Sequence, residues 1–417
     1  MKDNKVDEIV KELKELEPLI MQCSKCGTCQ SVCPIYDKDL IETSVARGKL
    51  ALIEAIYEGR IEEAQRIFKH LDYCVMCTRC KQYCPSGVST DEIFLRAKSI
   101  LRKIKELPNW QKAVLKIIMQ KPTLVAKTAP LMHIGLKFGS KQVKEDVFKP
   151  LFKEFSQRNI VSIKSRPFTS KYGGLNKAKE EKMRVIFYPG CAITYIYTNW
   201  GEAIVEVLNY YGVSVYVPKT NKCCGIPAAT MGDLDLYKQM VNKNLDWFDS
   251  ITDASYIITA CPTCQYGLND MGQKITKRKA KVPMMDIVVF LKEVLSIDIE
   301  PQEKEKSTLH IPCHYEREKD NTLKEFMSKN IAKDFSSLEN QSCCGFGGTF
   351  NIKYYKDSSE IPKSKTQEIK EKGFKKLFTP CPGCAMQLSD VLIKENLDTK
   401  VMHPIEVIYE GIKTKKA

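Results

Sequence analysis

Apolar residues at Val6, Ile9, Val10, Leu13 and Leu16 recur at the spacing of one helix face, so the chain is expected to open with an amphipathic helix. Val45 to His70 reads the same way. Leu50, Ile53, Ile56 and Tyr57 form one stripe, and Ile61, Ala64, Ile67 and Phe68 continue it after a break at Gly59. A third helical stripe, Trp110, Val114, Leu115, Ile117 and Ile118, has Lys112, Lys116 and Lys121 away from it. Beyond residue 183 the period changes. Short apolar runs at Arg184-Val-Ile-Phe-Tyr, Ala254-Ser-Tyr-Ile-Ile-Thr-Ala, Thr308-Leu-His-Ile and Lys376-Leu-Phe-Thr predict strands whose ends lead into helix starts. The pattern therefore predicts an α + α/β protein, helical in front and α/β behind.

A chain of 417 residues has room for two to three domains. With 43% hydrophobic and 28% charged residues it matches an ordinary globular protein, which excludes disordered and fibrous classes. No apolar run approaches the roughly 18 residues of a membrane span, and Met-Lys-Asp-Asn-Lys-Val-Asp-Glu lacks the apolar core of a signal peptide, so a cytoplasmic location is expected. The net charge of +14 is confined to one stretch: Leu101 to Arg184 carries 20 Lys and Arg against 6 Asp and Glu. Phe138, Phe148, Phe152, Phe155 and Phe168 are interleaved with it. Such a stretch reads as a solvated connector or as a surface for an anionic membrane, where each nearby Lys or Arg contributes about 1 kcal/mol. No nucleic-acid recognition motif accompanies it.

The 18 cysteines supply the chemistry. Eight lie between Cys23 and Cys84, ten between Cys191 and Cys384, and none in between. Cys23-Ser-Lys-Cys26-Gly-Thr-Cys29-Gln-Ser-Val-Cys33-Pro34 follows the C-x2-C-x2-C-x3-C-P run, and Cys74-Val-Met-Cys77-Thr-Arg-Cys80-Lys-Gln-Tyr-Cys84-Pro85 repeats it. Three thiolates of each run wrap one cubane, and the fourth reaches the other. The expected ligand sets are Cys23, Cys26, Cys29 and Cys84 for one [4Fe-4S] cluster, and Cys74, Cys77, Cys80 and Cys33 for the other. Zinc ribbons set their C-x2-C pairs well apart and fit this spacing poorly.

In the second half one pattern occurs twice. Cys191, Cys223-Cys224-Gly225 and Cys261-Pro-Thr-Cys264 are matched by Cys313, Cys343-Cys344-Gly345 and Cys381-Pro-Gly-Cys384. The offsets of 122, 120 and 120 residues indicate a duplicated domain. A thioredoxin-like dithiol, a vicinal disulfide or ordinary buried cysteines would each explain one fragment; a common multi-thiolate site explains their recurrence in order. Gly225 and Gly345 are expected at positive φ, where the backbone can approach a bulky ligand.

At these residues the chain resembles the cysteine-rich CCG-domain iron–sulfur proteins. Those are the iron–sulfur subunit of glycolate oxidase, the corresponding iron–sulfur subunit of anaerobic glycerol-3-phosphate dehydrogenase, the lactate-utilisation iron–sulfur proteins and the CCG-bearing subunit of heterodisulfide reductase. His70-Leu-Asp-Tyr-Cys74 and Cys84-Pro-Ser-Gly-Val are similar to the glycolate and glycerol-3-phosphate subunits, and Cys343-Cys-Gly-Phe-Gly-Gly-Thr-Phe to the lactate proteins. The complete set of ten cysteines is similar to heterodisulfide reductase. The resemblance implies one or two non-cubane [4Fe-4S] clusters, one held by Cys191, Cys223, Cys224, Cys261 and Cys264, the other by Cys313, Cys343, Cys344, Cys381 and Cys384.

The expected layout is a helical ferredoxin domain (1–105), a basic connector (106–183), and a first (184–300) and second (301–417) CCG domain. The expected function is an iron–sulfur electron-transfer subunit of a multi-subunit oxidoreductase. No G-x-G-x-x-G follows a strand, so flavin is expected only in a partner dehydrogenase acting on a 2-hydroxy acid or glycerol 3-phosphate. Electrons would leave toward a membrane quinone or a membrane cytochrome-type subunit, with the chain cytoplasmic and peripheral on the membrane. The rival, implied by the resemblance to heterodisulfide reductase, is a catalytic disulfide reductase working at the non-cubane clusters. Among five histidines, His314 beside Cys313 and His403 before Pro404 are candidates for proton donation.

Overall fold

The opening helix, Lys2–Lys14, lays Ile9 and Leu13 into the interior and leaves Val6 outside. The computed structural model describes residues 2–61, 64–153, 155–220, 222–315 and 319–416. The stripe from Val45 to His70 divides into two helices, Ala46–Tyr57 and Ala64–Asp72, and Gly59 turns the chain between them at a φ of 71°. Residues 62–63 and the side chain of Ala64 lie outside the described residues. Helix Thr90–Leu101 completes the front module and buries Ile93, Phe94, Leu95, Ala97 and Leu101.

The connector is folded. Helices Asn109–Gln120 and Pro122–Phe138 form a hairpin, followed by a small antiparallel sheet of β1 (Ser140–Lys144), β2 (Val147–Pro150) and β3 (Ile160–Val161). Only Leu115, Met119 and Ala129 of the hairpin helices are buried; Trp110, Val114, Ile117, Ile118, Leu131 and Phe138 are exposed. The stripe legible in the sequence thus faces outward for most of its length.

Two α/β domains follow. In the first, β4 (Gly174–Asn176), β5 (Met183–Tyr188), β6 (Val213–Val217), β7 (Tyr256–Thr259) and β8 (Met284–Asp286) form one sheet in the order β4-β6-β5-β7-β8. The last four are parallel; β4 joins the edge antiparallel, ahead of residue 184. The second domain repeats the centre of this sheet with β9 (Ser307–Leu309), β10 (Lys376–Phe378) and β11 (Lys400–Met402), all parallel. The counterpart of β6 is reduced to two isolated parallel bridges, Glu303 with Ala332 and Ser307 with Phe335. Interior residues Val185, Ile186, Phe187, Ile257 and Ile258 are fully buried, as strands covered on both faces require.

The modules share cores. Leu13, Ile53, Leu71, Ile93 and Leu101 of the front module pack in one cluster with Ala228, Tyr237, Val241 and Met271 of the first α/β domain. Ile204 and Leu208 pack with Phe326, Phe378 and Ile405 of the second. At about 1.5–3 kcal/mol for each buried large apolar side chain, these shared cores hold the cysteine-bearing loops in one rigid arrangement.

Candidate iron–sulfur sites

Each cysteine run of the front module bends through the same two left-handed positions. Lys25 and Gly27 lie at φ 57° and 86° in the first, and Met76 and Thr78 at 53° and 59° in the second. Left-handed backbone costs roughly 1–2 kcal/mol per non-glycine residue, so its recurrence at matched positions marks loops wound around a centre. One cavity is lined by Cys33, Cys74, Cys77 and Cys80, together with Lys49 and Asp91. A second is lined by Cys23, Cys26, Cys29 and Cys84. The fourth cysteine of each run thus stands with the first three of the other. Cys80, Ala46 and Thr90 line both cavities, so one side-chain layer separates them.

The electrostatics suit a cationic occupant. Burial pushes the Cys33 thiol up to about 12, and a hydrogen bond shared with Cys343 together with burial pushes Cys77 well above the ordinary thiol range. Buried thiols this close cannot all ionise unless a cation compensates them, which is what an iron–sulfur cluster supplies. At the surface, Cys26 is exposed, and its hydrogen bond with Thr28 Oγ1 (3.3 Å) lowers its thiol. The ammonium of Lys49, donating to the Tyr73 carbonyl at 2.8 Å, adds a buried positive charge beside the inner cavity.

In each α/β domain the cysteines stand at the carboxyl ends of the parallel strands. Cys191 follows β5, Cys223 and Cys224 follow β6, and Cys261 and Cys264 follow β7. The strand order reverses about β5, and the crevice at such a reversal is where open α/β sheets place their ligands. Cys191, Cys223, Cys224, Cys264 and Cys261 are linked in sequence by thiol contacts. Cys313, Cys343, Cys344, Cys384 and Cys381 form the same series, with Cys344 and Cys384 Sγ 3.2 Å apart. Gly225 N–H donates to Cys223 Sγ and Gly345 N–H to Cys343 Sγ, each at 3.4 Å. Both glycines are at positive φ, 89° and 84°. What approaches them is the fold itself: a Cβ would meet Tyr237 at 2.8 Å in one and the Ser358 carbonyl at 2.5 Å in the other. Gly190, at φ 62°, is the glycine whose Cβ would press on a cysteine, Cys264 Sγ at 3.0 Å.

Two further contacts join the sets. Cys77 touches Cys343, and Cys261 touches Cys381. The four sets therefore form a row: Cys23/26/29/84, then Cys33/74/77/80, then the second α/β domain, then the first. The row reaches the surface at Cys26 and at Cys191, which are exposed. Polar contacts hold the front module against the rest. Arg79 Nη1 donates to the Gln341 carbonyl (2.9 Å), Gln82 to the Cys313 carbonyl (2.8 Å), and Lys353 to Asp72 (2.9 Å).

His314 joins three modules. Its Nε2 donates to the Met76 carbonyl at 2.8 Å, its Nδ1 accepts from Thr263 Oγ1 at 3.0 Å, and its ring stacks on Tyr266 at 4.6 Å. With both nitrogens engaged it acts as a fastener. His403 is fully buried against Trp200, and its Nδ1 accepts from Ile405 N–H, capping the last helix. Sequence reasoning missed several buried polar groups of the sites: Lys49, Asp91, His310 and Lys365. Only His310 carried a signal, two positions ahead of the Pro312-Cys313 pair at the end of a strand.

The chain matches the cysteine-rich domain family (CCG) at residues 185–269 and 307–389, and the 4Fe-4S dicluster domain family at residues 20–88. Among curated relatives, an uncharacterized iron–sulfur protein of Methanocaldococcus jannaschii is 26% identical over 97% of this chain and 73% of its own length. A probable glycolate oxidase iron–sulfur subunit of Bacillus subtilis is 24% identical over 98% of both chains. One subunit of the fumarate reductase (CoM/CoB) of Methanothermobacter marburgensis is 26% identical over 93% of this chain and 71% of its own.

Proposed function

Because the chain belongs to the CCG-domain iron–sulfur proteins and is an electron-transfer subunit of an oxidoreductase that holds [4Fe-4S] clusters, we propose that it carries single electrons between a flavoprotein dehydrogenase and an acceptor at a membrane surface. Cys23, Cys26, Cys29 and Cys84 hold one cubane cluster, and Cys33, Cys74, Cys77 and Cys80 the other. Cys191, Cys223, Cys224, Cys261 and Cys264 hold a non-cubane cluster, as do Cys313, Cys343, Cys344, Cys381 and Cys384. Each cluster, when bound, exchanges one electron at a time. The observation that carries this reading is the row of cysteine sets, joined through Cys77–Cys343 and Cys261–Cys381 and exposed only near its ends at Cys26 and Cys191. A row of adjoining sites with exposed ends suits relay between two partners.

The partner's substrate is a 2-hydroxy acid such as glycolate or lactate, or glycerol 3-phosphate; the names of glycolate oxidase and lactate utilization relatives support the first two. The chain is cytoplasmic and peripheral. No helix among the described residues is long and apolar enough to cross a membrane, so contact with an anionic bilayer or a membrane subunit is assigned to the basic hairpin, with its exposed Trp110, Ile117, Ile118 and Phe138.

A second reading has its own support. All ten cysteines are present, Cys191 is exposed, and the fumarate reductase (CoM/CoB) protein is a relative, which suits a disulfide-reducing site at the end of the row. One experiment separates the two. The full chain is purified anaerobically with whatever accompanies it, then exposed to 2-hydroxy acids, glycerol 3-phosphate and a panel of disulfides. Relay predicts a co-purifying flavoprotein and cluster reduction by one of the alcohols; thiol release from a disulfide by the reduced chain alone, abolished in Cys191→Ser with the cubane signals intact, would replace relay with reductase.

A further inference from the structure

The two α/β domains are duplicates in their cysteines but not in the residues around them. By the offset that relates Cys191 to Cys313, His310 answers to Tyr188, and strand register agrees: Phe187 pairs with Ile258 as Leu309 pairs with Phe378. Tyr188 is buried with its hydroxyl donating to the Lys222 carbonyl, so it is satisfied within its own domain. His310 is fully buried too, yet neither ring nitrogen has a hydrogen-bond partner among the described residues. Leaving a polar group of this kind unpaired in the interior forfeits its hydration with nothing in return, so the position calls for a partner that the protein atoms do not provide. A ligand atom of His310 and the Sγ atoms of Cys344 and Cys384 all lie within 4.8 Å of one another.

The neighbouring helix differs in the same sense. Tyr237, Met240 and Asn244 of the first domain answer to Ser358, Ile361 and Lys365 of the second, where the first two of each trio close on the CCG glycine. Asn244 is a neutral amide bonded to the Cys223 carbonyl (2.9 Å); Lys365 is a fully buried ammonium donating to the Asn340 carbonyl. The second site therefore has an imidazole and a cation where the first has a phenol and an amide. Its thiolates are also drawn two ways, since Cys343 touches Cys77 of the front module as well as Cys313.

We propose that His310 is a nitrogen ligand of the second cysteine-rich site, sharing one metal ion with Cys344 and Cys384. A tetrahedral ion at about 2.3 Å from sulfur and about 2.0 Å from nitrogen places a nitrogen and a sulfur roughly 3.5 Å apart and two sulfurs roughly 3.8 Å apart. The two thiols, 3.2 Å apart, need only open slightly while the imidazole stays within 4.8 Å of both. Imidazole and thiolate are both ligands that iron accepts, and nitrogen in place of sulfur raises an iron–sulfur site's potential. The second site is then of mixed sulfur and nitrogen ligation, and the first of sulfur alone. The inference rests on the reading that the second set holds iron, and its test keeps the two apart.

The full chain is prepared anaerobically with natural-abundance and 15N-labelled histidine, its iron is counted, and nitrogen couplings to its paramagnetic clusters are measured by pulsed electron–nuclear spectroscopy. Ligation predicts a directly bound nitrogen whose coupling changes on labelling and is lost in His310→Tyr, which installs the first domain's residue, with the cubane signals unchanged. His310→Cys should keep the iron of the wild-type chain while losing the coupling, which distinguishes ligation from a merely structural need for histidine. Full iron with only a weak nitrogen coupling in the wild-type chain would overturn the ligand and leave the cluster assignment standing. Iron confined to the front module would overturn both.

Discussion

Thr78 carries a β-branched side chain in the left-handed region, and Lys25 and Met76 share that conformation. The strain persists because the cysteines on either side are held in place by the shared cores and by bonds such as Met76 N–H to Cys74 Sγ (3.4 Å). His403 shows the opposite economy, a titratable group kept neutral. Burial pulls its imidazole down to about 3, so near pH 6.5 the unfolded chain takes up a proton that the folded chain refuses. The stability this histidine brings is complete above that pH and is lost as pH falls toward 3, at about 1.4 kcal/mol per pH unit. Thermal denaturation between pH 7.5 and 5.5 should show this loss, and His403→Asn, which can still cap Ile405 N–H, should show a smaller one. At this scale the cysteines were legible because their spacing is dictated by the ligand they would wrap. Lys49, Asp91 and Lys365 were not, since a single buried polar residue has no period and its partner lies far along the chain.

Among elements, helix Thr90–Leu101 connects the front module to the first α/β domain through one buried carboxylate. Asp91 accepts from Lys81 (2.8 Å) and from the Tyr266 hydroxyl (2.9 Å); although burial would raise it, Lys81 and Lys274 hold its carboxyl below the usual range. Asp91→Ala removes the acceptor and leaves buried donors behind, so it should cost about 3–5 kcal/mol; Asp91→Asn, which can still accept from Tyr266, should cost less. Denaturant unfolding of the three chains checks the order. The basic hairpin makes a second expectation at this scale. Lys112 is paired with Glu106 (2.7 Å), so Lys116, Lys121 and the exposed Trp110 are the better contacts for a membrane. Trp110 fluorescence should shift on adding anionic vesicles at low salt, shift back as salt rises, and respond weakly in Lys116→Gln/Lys121→Gln; an equal response to neutral vesicles would contradict it. The four strands named from apolar runs fall within two residues of β5, β7, β9 and β10. Val213-Ser-Val-Tyr-Val carried an equally strong alternating signal for β6, whereas β4, β8 and β11 are three residues each and owe their pairing to neighbours. Periodicity located the hairpin stripe but could not tell that it faces outward, because a stripe has the same spacing whatever covers it.

For the whole molecule, the duplication that offsets of 120 and 122 residues indicated is present as two sheets with matching parallel centres and cysteines at matching strand ends. The row itself was beyond the sequence. It depends on Cys77 meeting Cys343 and Cys261 meeting Cys381, contacts between modules whose orientation follows from shared cores, and nothing local records it. The central claim is that all four cysteine sets hold iron–sulfur clusters, and metal analysis of the anaerobically purified full chain tests it most directly. Four [4Fe-4S] clusters predict about 16 Fe per chain with negligible zinc; two to four zinc ions with little iron would contradict the account.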